Sequence, residues 1–216
     1  LWRAHSRLVG YMPDLVGRTR PVVPATAQLM ATLHRDVAGP LAVGGLISEA
    51  VVGCPRESAG LVENVKTAFA DGQLLEGRGL LEGGPGPNLG GQELRERLEQ
   101  IVALVDTPNL PALVRLALVH AEMLTVRPFA LANGALGRLL VRHLSVRDGL
   151  DPTGVSVSDY YAGRVPGAYA EAAQAYASAS LEGVVAWIIW QAEALLEGMR
   201  QGSELSRAVQ AGTTQR

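Results

Sequence analysis

The chain of 216 residues has a single cysteine, Cys54, and this absence excludes an internal disulfide framework and a cysteine-rich zinc site; a reducing, cytoplasmic setting is the expectation. Lysine is equally scarce. Lys66 stands alone, so every other basic side chain is an arginine, a planar donor suited to carboxylates and phosphates, although a genome that favours arginine codons explains the same bias. Neither sign of charge is in excess: 19 Lys+Arg against 21 Asp+Glu leave −2, which argues against a polybasic nucleic-acid or membrane-surface binder. Aromatics make up only 5%. The four histidines, His5, His34, His120 and His143, fall at no metal-ligand spacing, so no metal is expected. The opening LWRAHSRLVGYMPD is too polar for the apolar core of a secretory signal. Repeats and alternating strand patterns of any length are missing as well.

What is present is helical periodicity, and the expected fold class is all-α. Helices are predicted over 24–38, stopped by Gly39-Pro40, then over Leu41 to Val52 and Ser58 to Ala70. Residues 76–91 are dense in Gly and Pro and allow at most a short β-hairpin. From Gln92, the residues Leu94, Leu98, Ile101 and Val105 form one apolar face. Leu110 to Val126 is apolar nearly all round, broken by Arg115, His120 and Glu122, which marks a buried core helix rather than a membrane span. Another helix starts after Asn133-Gly134 and stops at Gly149. Segment 158–178 reads as a helix or a pair kinked at Pro166. A last helix, Leu181 to Met199, carries a stripe of Leu181, Val184, Val185, Ile188, Ala192, Leu195 and Met199, expected to face the core. The domain reading is a helical extension over 1–39, a main helical domain over 40–200, and a frayed tail over 201–216.

The stretch that can carry chemistry is 120–143, HAEMLTVRPFALANGALGRLLVRH: a buried helix, a tight loop and a second helix beginning where the loop ends. Asn133 stands at the expected N-cap, and Gly134, Ala135, Leu136 and Gly137 leave first-turn amides sterically uncovered, an anion-site geometry to which Arg138 can add a bidentate contact. Ordinary capping chemistry, with Arg138 reaching an acidic neighbour, accounts for the same residues.

The run Arg127-Pro128-Phe129-Ala130-Leu131-Ala132-Asn133-Gly134-Ala135-Leu136-Gly137-Arg138 resembles the signature loop of the Fic (Fido, Doc-like) family, H-P-F-x-(D/E)-G-N-G-R-x-x-R. The likeness extends upstream through His120, Met123 and Val126 and downstream through GRLLVRHLSVRDGL, over about residues 40–200. It implies a Fic-type helical bundle with the loop between two core helices, Pro128, Phe129 and His120 as structural anchors, and a phosphate or nucleotide such as ATP held near Arg127, Asn133, Gly134, Gly137 and Arg138.

Departures from the pattern bear on activity. In AMP-transferring members the motif histidine is the general base; here Arg127 stands in its place and stays protonated. The acidic residue that holds magnesium falls on Leu131, which has no oxygen for a hard cation. The first motif arginine falls on Ala135 and the glycine before Asn133 on Ala132. The resemblance therefore implies a degenerate member without AMP transfer, a pseudoenzyme that acts as a phosphate- or nucleotide-binding regulatory module. Two other readings stand beside it: a Fic-type transferase with altered, metal-independent chemistry that uses His120 or a carboxylate as base, and a scaffold or toxin–antitoxin-like partner. The family's target-docking flap corresponds to 76–91, a weak strand edge here. An inhibitory helix in many members places a Glu on the second motif arginine; Glu57 and Glu63 are near misses to it, and a solvated surface Glu is the simpler account of both. Arg142 and Arg147 are candidates for a positive patch around the loop. Tyr160, Tyr161, Tyr169, Tyr176, Trp187 and Trp190 are expected as core and boundary aromatics, Cys54 as a small buried filler, and His120 as a hydrogen-bonded core histidine.

Overall fold

The helix that is apolar nearly all round becomes the centre of the molecule. A computed structural model describes residues 1–12, 23, 26–57 and 89–212, and among these every regular element is helical. In order they are α1 (Trp2–Val9), α2 (Thr26–Val43), a 3-10 turn at Glu49–Val51, α3 (Gly91–Val105), α4 (Ala112–Val126), α5 (Asn133–Arg147), α6 (Asp159–Arg164), α7 (Pro166–Ala177) and α8 (Leu181–Gln210). Within α4, Leu116, Val119 and Met123 face a core shared with α1, α2, α3 and α5, while Ala117, Ala121 and Leu124 face a second core built with Tyr169, Trp187 and Trp190. Each polar interruption of α4 ties it to neighbouring helices. Arg115 pairs with Asp148 at the end of α5 at 3.1 Å, and Glu122 accepts from Arg97 of α3 at 2.6 Å and from Tyr176 of α7 at 2.7 Å. His120 reaches α7 and α8.

The most extensive helix pairing is α4 with α5. Gly137 permits it: a Cβ there would lie 2.6 Å from Cδ2 of His120, well inside van der Waals contact. Nearly all of α5 is buried as a result.

Several expectations are corrected. Helix α2 runs through Gly39-Pro40 to Val43, because the proline ring lies on the exposed side and Leu41 packs on the 130–132 backbone beyond it; the helix expected over Leu41 to Val52 is instead the end of α2, a glycine turn and one 3-10 turn. The boundary drawn at 39/40 falls inside α2, whose Leu29, Met30 and Leu33 belong to the same core as α3–α5. Residues 201–210 do not fray but continue α8, which packs Gly202 against the carbonyl of Val155. The stripe drawn on α8 faces the core only in part: Leu195 is buried and Ile188 packs on the second core, but Leu181 is 74% exposed and Val185 46%, and the rest of the buried side is Gly183, Trp187, Trp190, Gln191, Ala194, Gly198 and Gly202. Pro166 does separate two helices, α6 and α7. The helix expected over Ser58 to Ala70 and residues 76–88 of the expected hairpin lie outside the described residues.

The Gly137 contact sets a measurable expectation. Gly137→Ala forces a methyl onto an imidazole held at both nitrogens, and chemical denaturation should report a loss of about 1–3 kcal/mol, instead of the gain that Gly→Ala brings inside an uncrowded helix.

Candidate functional site

The loop between α4 and α5 is a closed turn. Arg127 ends α4 in the left-handed region (φ 49°), and Ala132, also left-handed (φ 61°), begins α5. Asn133 does not cap the helix as expected. It is the first helical residue, and its side chain turns back so that Oδ1 accepts from the Phe129 amide and Nδ2 donates to the Phe129 carbonyl, each at 2.9 Å. That pair pins the turn from inside. From outside, Ala130, Leu131 and Ala132 pack on Val37, Leu41, Ile47 and Val51. Residues 127–137 are all buried, so the amides at the start of α5 are covered by protein.

Two residues with no place in the motif hold this turn. Arg56 acts as a side-chain cap for α4: its guanidinium donates to the carbonyls of Val126 (3.1 Å) and Arg127 (2.7 Å) and to that of Leu89, while its own amide donates to Pro128 at 2.9 Å. Burial and the nearby Arg127 pull the Arg56 guanidinium below its usual pKa. His34 is the other. Its Nδ1 accepts from the Gly53 amide at 2.8 Å, which leaves Nε2–H to donate to the Leu131 carbonyl at 3.3 Å, and its ring stacks on Phe129 at 4.3 Å. Neither residue shows a periodic or motif signal in the sequence. Because Gly53 turns inward to His34, its neighbour Cys54 is exposed, contrary to the buried filler expected.

The expected site residues divide accordingly. Pro128, Phe129 and Asn133 belong to the pinned turn. Arg127 is buried and donates from Nε to the Leu124 carbonyl at 3.1 Å, one more contact at the end of α4. Leu131, in the metal-ligand position of the pattern, sits in apolar packing. Gly134 is buried, and Gly137 is buried against His120 and Met123 of α4. Only Arg138 reaches the edge, where it pairs at 2.9 Å with Asp159, the first residue of α6. Of the two near-miss carboxylates, Glu57 is exposed, in line with a solvated surface Glu, and its carbonyl accepts from the Gly91 amide, while Glu63 lies outside the described residues. Arg142 and Arg147 form no patch with Arg138: Arg142 clamps the carbonyls of Gly154 and Ser156, and Arg147 pairs with Asp106 and Asp148 at the far end of α5.

Behind Arg138 runs a buried polar relay. His120 Nδ1 meets Gln191 Oε1 at 2.7 Å and Nε2 meets the Tyr169 hydroxyl at 3.0 Å. Burial pushes Tyr169 up to about 12, against the pull of Arg138, and pulls His120 down to about 3, so the hydroxyl donates and the neutral imidazole accepts at Nε2 while donating from Nδ1. An imidazole so engaged is a poor general base. His34, the other imidazole beside the loop, is pulled by burial to about 4 and also has both nitrogens occupied. Among the described residues, no three His, Cys, Asp or Glu side chains gather into a group able to hold a metal, and no helix is long and apolar enough to cross a membrane. The chain matches no family model, and comparison with curated proteins finds no match.

Three buried neutral histidines make stability depend on pH. The values for His34 and His143 are about 4 and that for His120 about 3, against 6.5 in the unfolded chain. The unfolded state therefore takes up protons first as pH falls. Stability is fully present above about pH 6.5 and drops below it, by about 1.4 kcal/mol per pH unit for each histidine down to about pH 4. Denaturant titrations at pH 7 and pH 5 should show the loss, and it should shrink in His143→Phe.

Proposed function

We propose that this chain is a Fic-like helical protein that does not transfer AMP and works as a phosphate- or nucleotide-binding regulatory module, with Arg138 as the residue that holds the anion. The observation that carries the first part is the role taken by Arg127. At the base position of the pattern stands a guanidinium that cannot accept a proton and is occupied at the end of α4. Support for the likeness itself comes from the backbone: Ala132, where the pattern keeps a glycine, has the positive φ that a glycine adopts without strain. Pro128 and Phe129 lie in the core between two buried helices, as the resemblance implies.

Arg138 is the motif residue with a route to a ligand. Its carboxylate partner Asp159 is 40% exposed at the side chain, although the Oδ1 that meets Arg138 is itself buried and makes no aligned hydrogen bond, so an incoming phosphate would displace this carboxylate beside the Tyr169 hydroxyl that Arg138 also engages. In this reading Asp159 is the internal anion that a ligand displaces. The covered amides at the start of α5 take no part.

Incubation with labelled ATP and magnesium, alone or with protein targets, should give no AMP incorporation above a heat-treated control; incorporation lost in Arg138→Ala overturns the first part. Calorimetry with inorganic phosphate and ATP tests the second. Wild type should bind, Arg138→Ala should lose at least tenfold in affinity, and Asp159→Asn should gain several-fold. Absence of binding to wild type, or binding indifferent to Arg138, overturns the ligand assignment.

A further inference from the structure

Helix α8 is apolar on two opposite sides. At 100° per residue, Gly183, Trp187, Trp190, Gln191, Ala194 and Gly198 share the arc that packs on α4, α6 and α7. Leu181, Val185, Ile189, Ala192 and Leu196 fall within about 80° of one another on the far side. There Leu181 is 74% exposed, Val185 46%, Ile189 53% and Leu196 70%. Globular proteins place charges on the outer face of such a helix, and a helix apolar all round is ordinarily buried. Here Leu181, Val185, Ile189 and Leu196 point to water, while the core side uses glycine, alanine, tryptophan and Gln191 with Leu195 at its border.

We infer that this outer face of α8 is a homodimer interface, in which a second copy of the chain lays its own α8 antiparallel across the stripe. Three features of the face select that occupant. First, the stripe is self-complementary about its midpoint: in an antiparallel pair with a two-fold axis beside Ile189 and Ala192, each Ile189 meets the small Ala192 of the other copy, and each Val185 meets Leu196. Second, the charges along one edge fit the same axis. Antiparallel pairing brings like edges together, and Glu182 and Arg200 lie on one edge at opposite ends of the stripe, so each Glu182 meets the other copy's Arg200. Both side chains are exposed, and Arg200 pairs with Glu197 of its own helix at 2.9 Å. Third, the area suits a modest dimer. The four exposed side chains leave on the order of 400 Å² of apolar surface per copy, about half of what one partner buries in a standard interface, and half-buried Ala192 and Met199 with the charged rim add to it. A lipid surface fits poorly, because the edge carries Glu182, Glu193 and Glu204, whereas membrane-lying helices flank their apolar face with Lys and Arg.

Sedimentation equilibrium of the full chain should give a species near twice 22.8 kDa at about 100 μM. Ile189→Asp should weaken association at least tenfold and yield monomer with unchanged far-ultraviolet circular dichroism, since Ile189 is no part of the core. Glu182→Arg and Arg200→Glu should each weaken the dimer, and the double exchange should restore it. A wild-type chain that stays monomeric at that concentration overturns the proposal, as does a dimer indifferent to Ile189→Asp. A double exchange no tighter than the single variants overturns the antiparallel register.

Discussion

The structure turns on one close approach, that of Gly137 on α5 to the imidazole of His120 on α4. Hydrogen at Cα in place of a methyl lets the two helices meet with a ring between them, and the ring's nitrogens then fix two further helices, α7 through Tyr169 and α8 through Gln191. Four helices thus take their register from a single side chain. That role demands a neutral imidazole of one tautomer, because a protonated ring could not accept from Tyr169. Trp187 surrounds the arrangement, donating from its indole to the Ala117 carbonyl at 2.7 Å and meeting the His120 ring edge-on at 5.0 Å. A packed aromatic shell keeps water out and raises the cost of charging the ring. The same interaction that orders the bundle therefore removes its histidine from proton-transfer chemistry.

A similar trade runs through the 127–133 turn. A loop that receives a ligand needs donors that are fixed in place but not used up, and here most are used. Arg56 covers the carbonyl end of α4, Asn133 ties both polar groups of Phe129, and His34 bridges Gly53 to Leu131. Two left-handed non-glycine residues bound the turn, and such conformations cost about 1–2 kcal/mol each unless the surroundings over-determine them. The surroundings do so. Apolar packing of 130–132 on α2 and the turn after it adds the remaining constraint.

Local periodicity made the centre of the fold legible. The face of α3 with Leu94, Ile101 and Val105, the burial of α4, the break at Pro166 and the core role of His120 follow from spacing and residue type. Periodicity read α8 only in part, for a physical reason. A hydrophobic pattern reports how apolar each side of a helix is, and a helix with two apolar sides offers no way to tell which meets the core; aliphatic size pointed to Leu181 and Val185, but small residues and tryptophans allow the closer approach. Proline misled at α2, where position 40 lies in the last turn and on the exposed side, so the missing amide interrupts little. The relay of Gln191, Tyr169 and Asp159 was invisible because its members lie 21 to 71 residues from the groups they touch and share no motif.

Electrostatics favour Arg138 over the other motif residues as the anion contact of the proposed reading. Arg127 and the amides near it are buried in a region crowded with protein donors and carbonyls, and placing an anion there requires the turn to open and uncover apolar packing from α2. Arg138 needs no such opening. Its guanidinium sits one turn into α5, near the positive end of that helix, so local fields favour a negative group beside it whether that group is Asp159 or a phosphate. Asp159 is the monovalent choice, tethered at the start of a six-residue helix that Pro166 separates from α7. A phosphate brings more charge and more acceptor oxygens than one carboxylate, and the guanidinium fork accommodates two of them at once. In the proposed reading, exchange of one anion for the other would act on Asp159 at the start of a six-residue helix and would not require the α4–α5 contact to open.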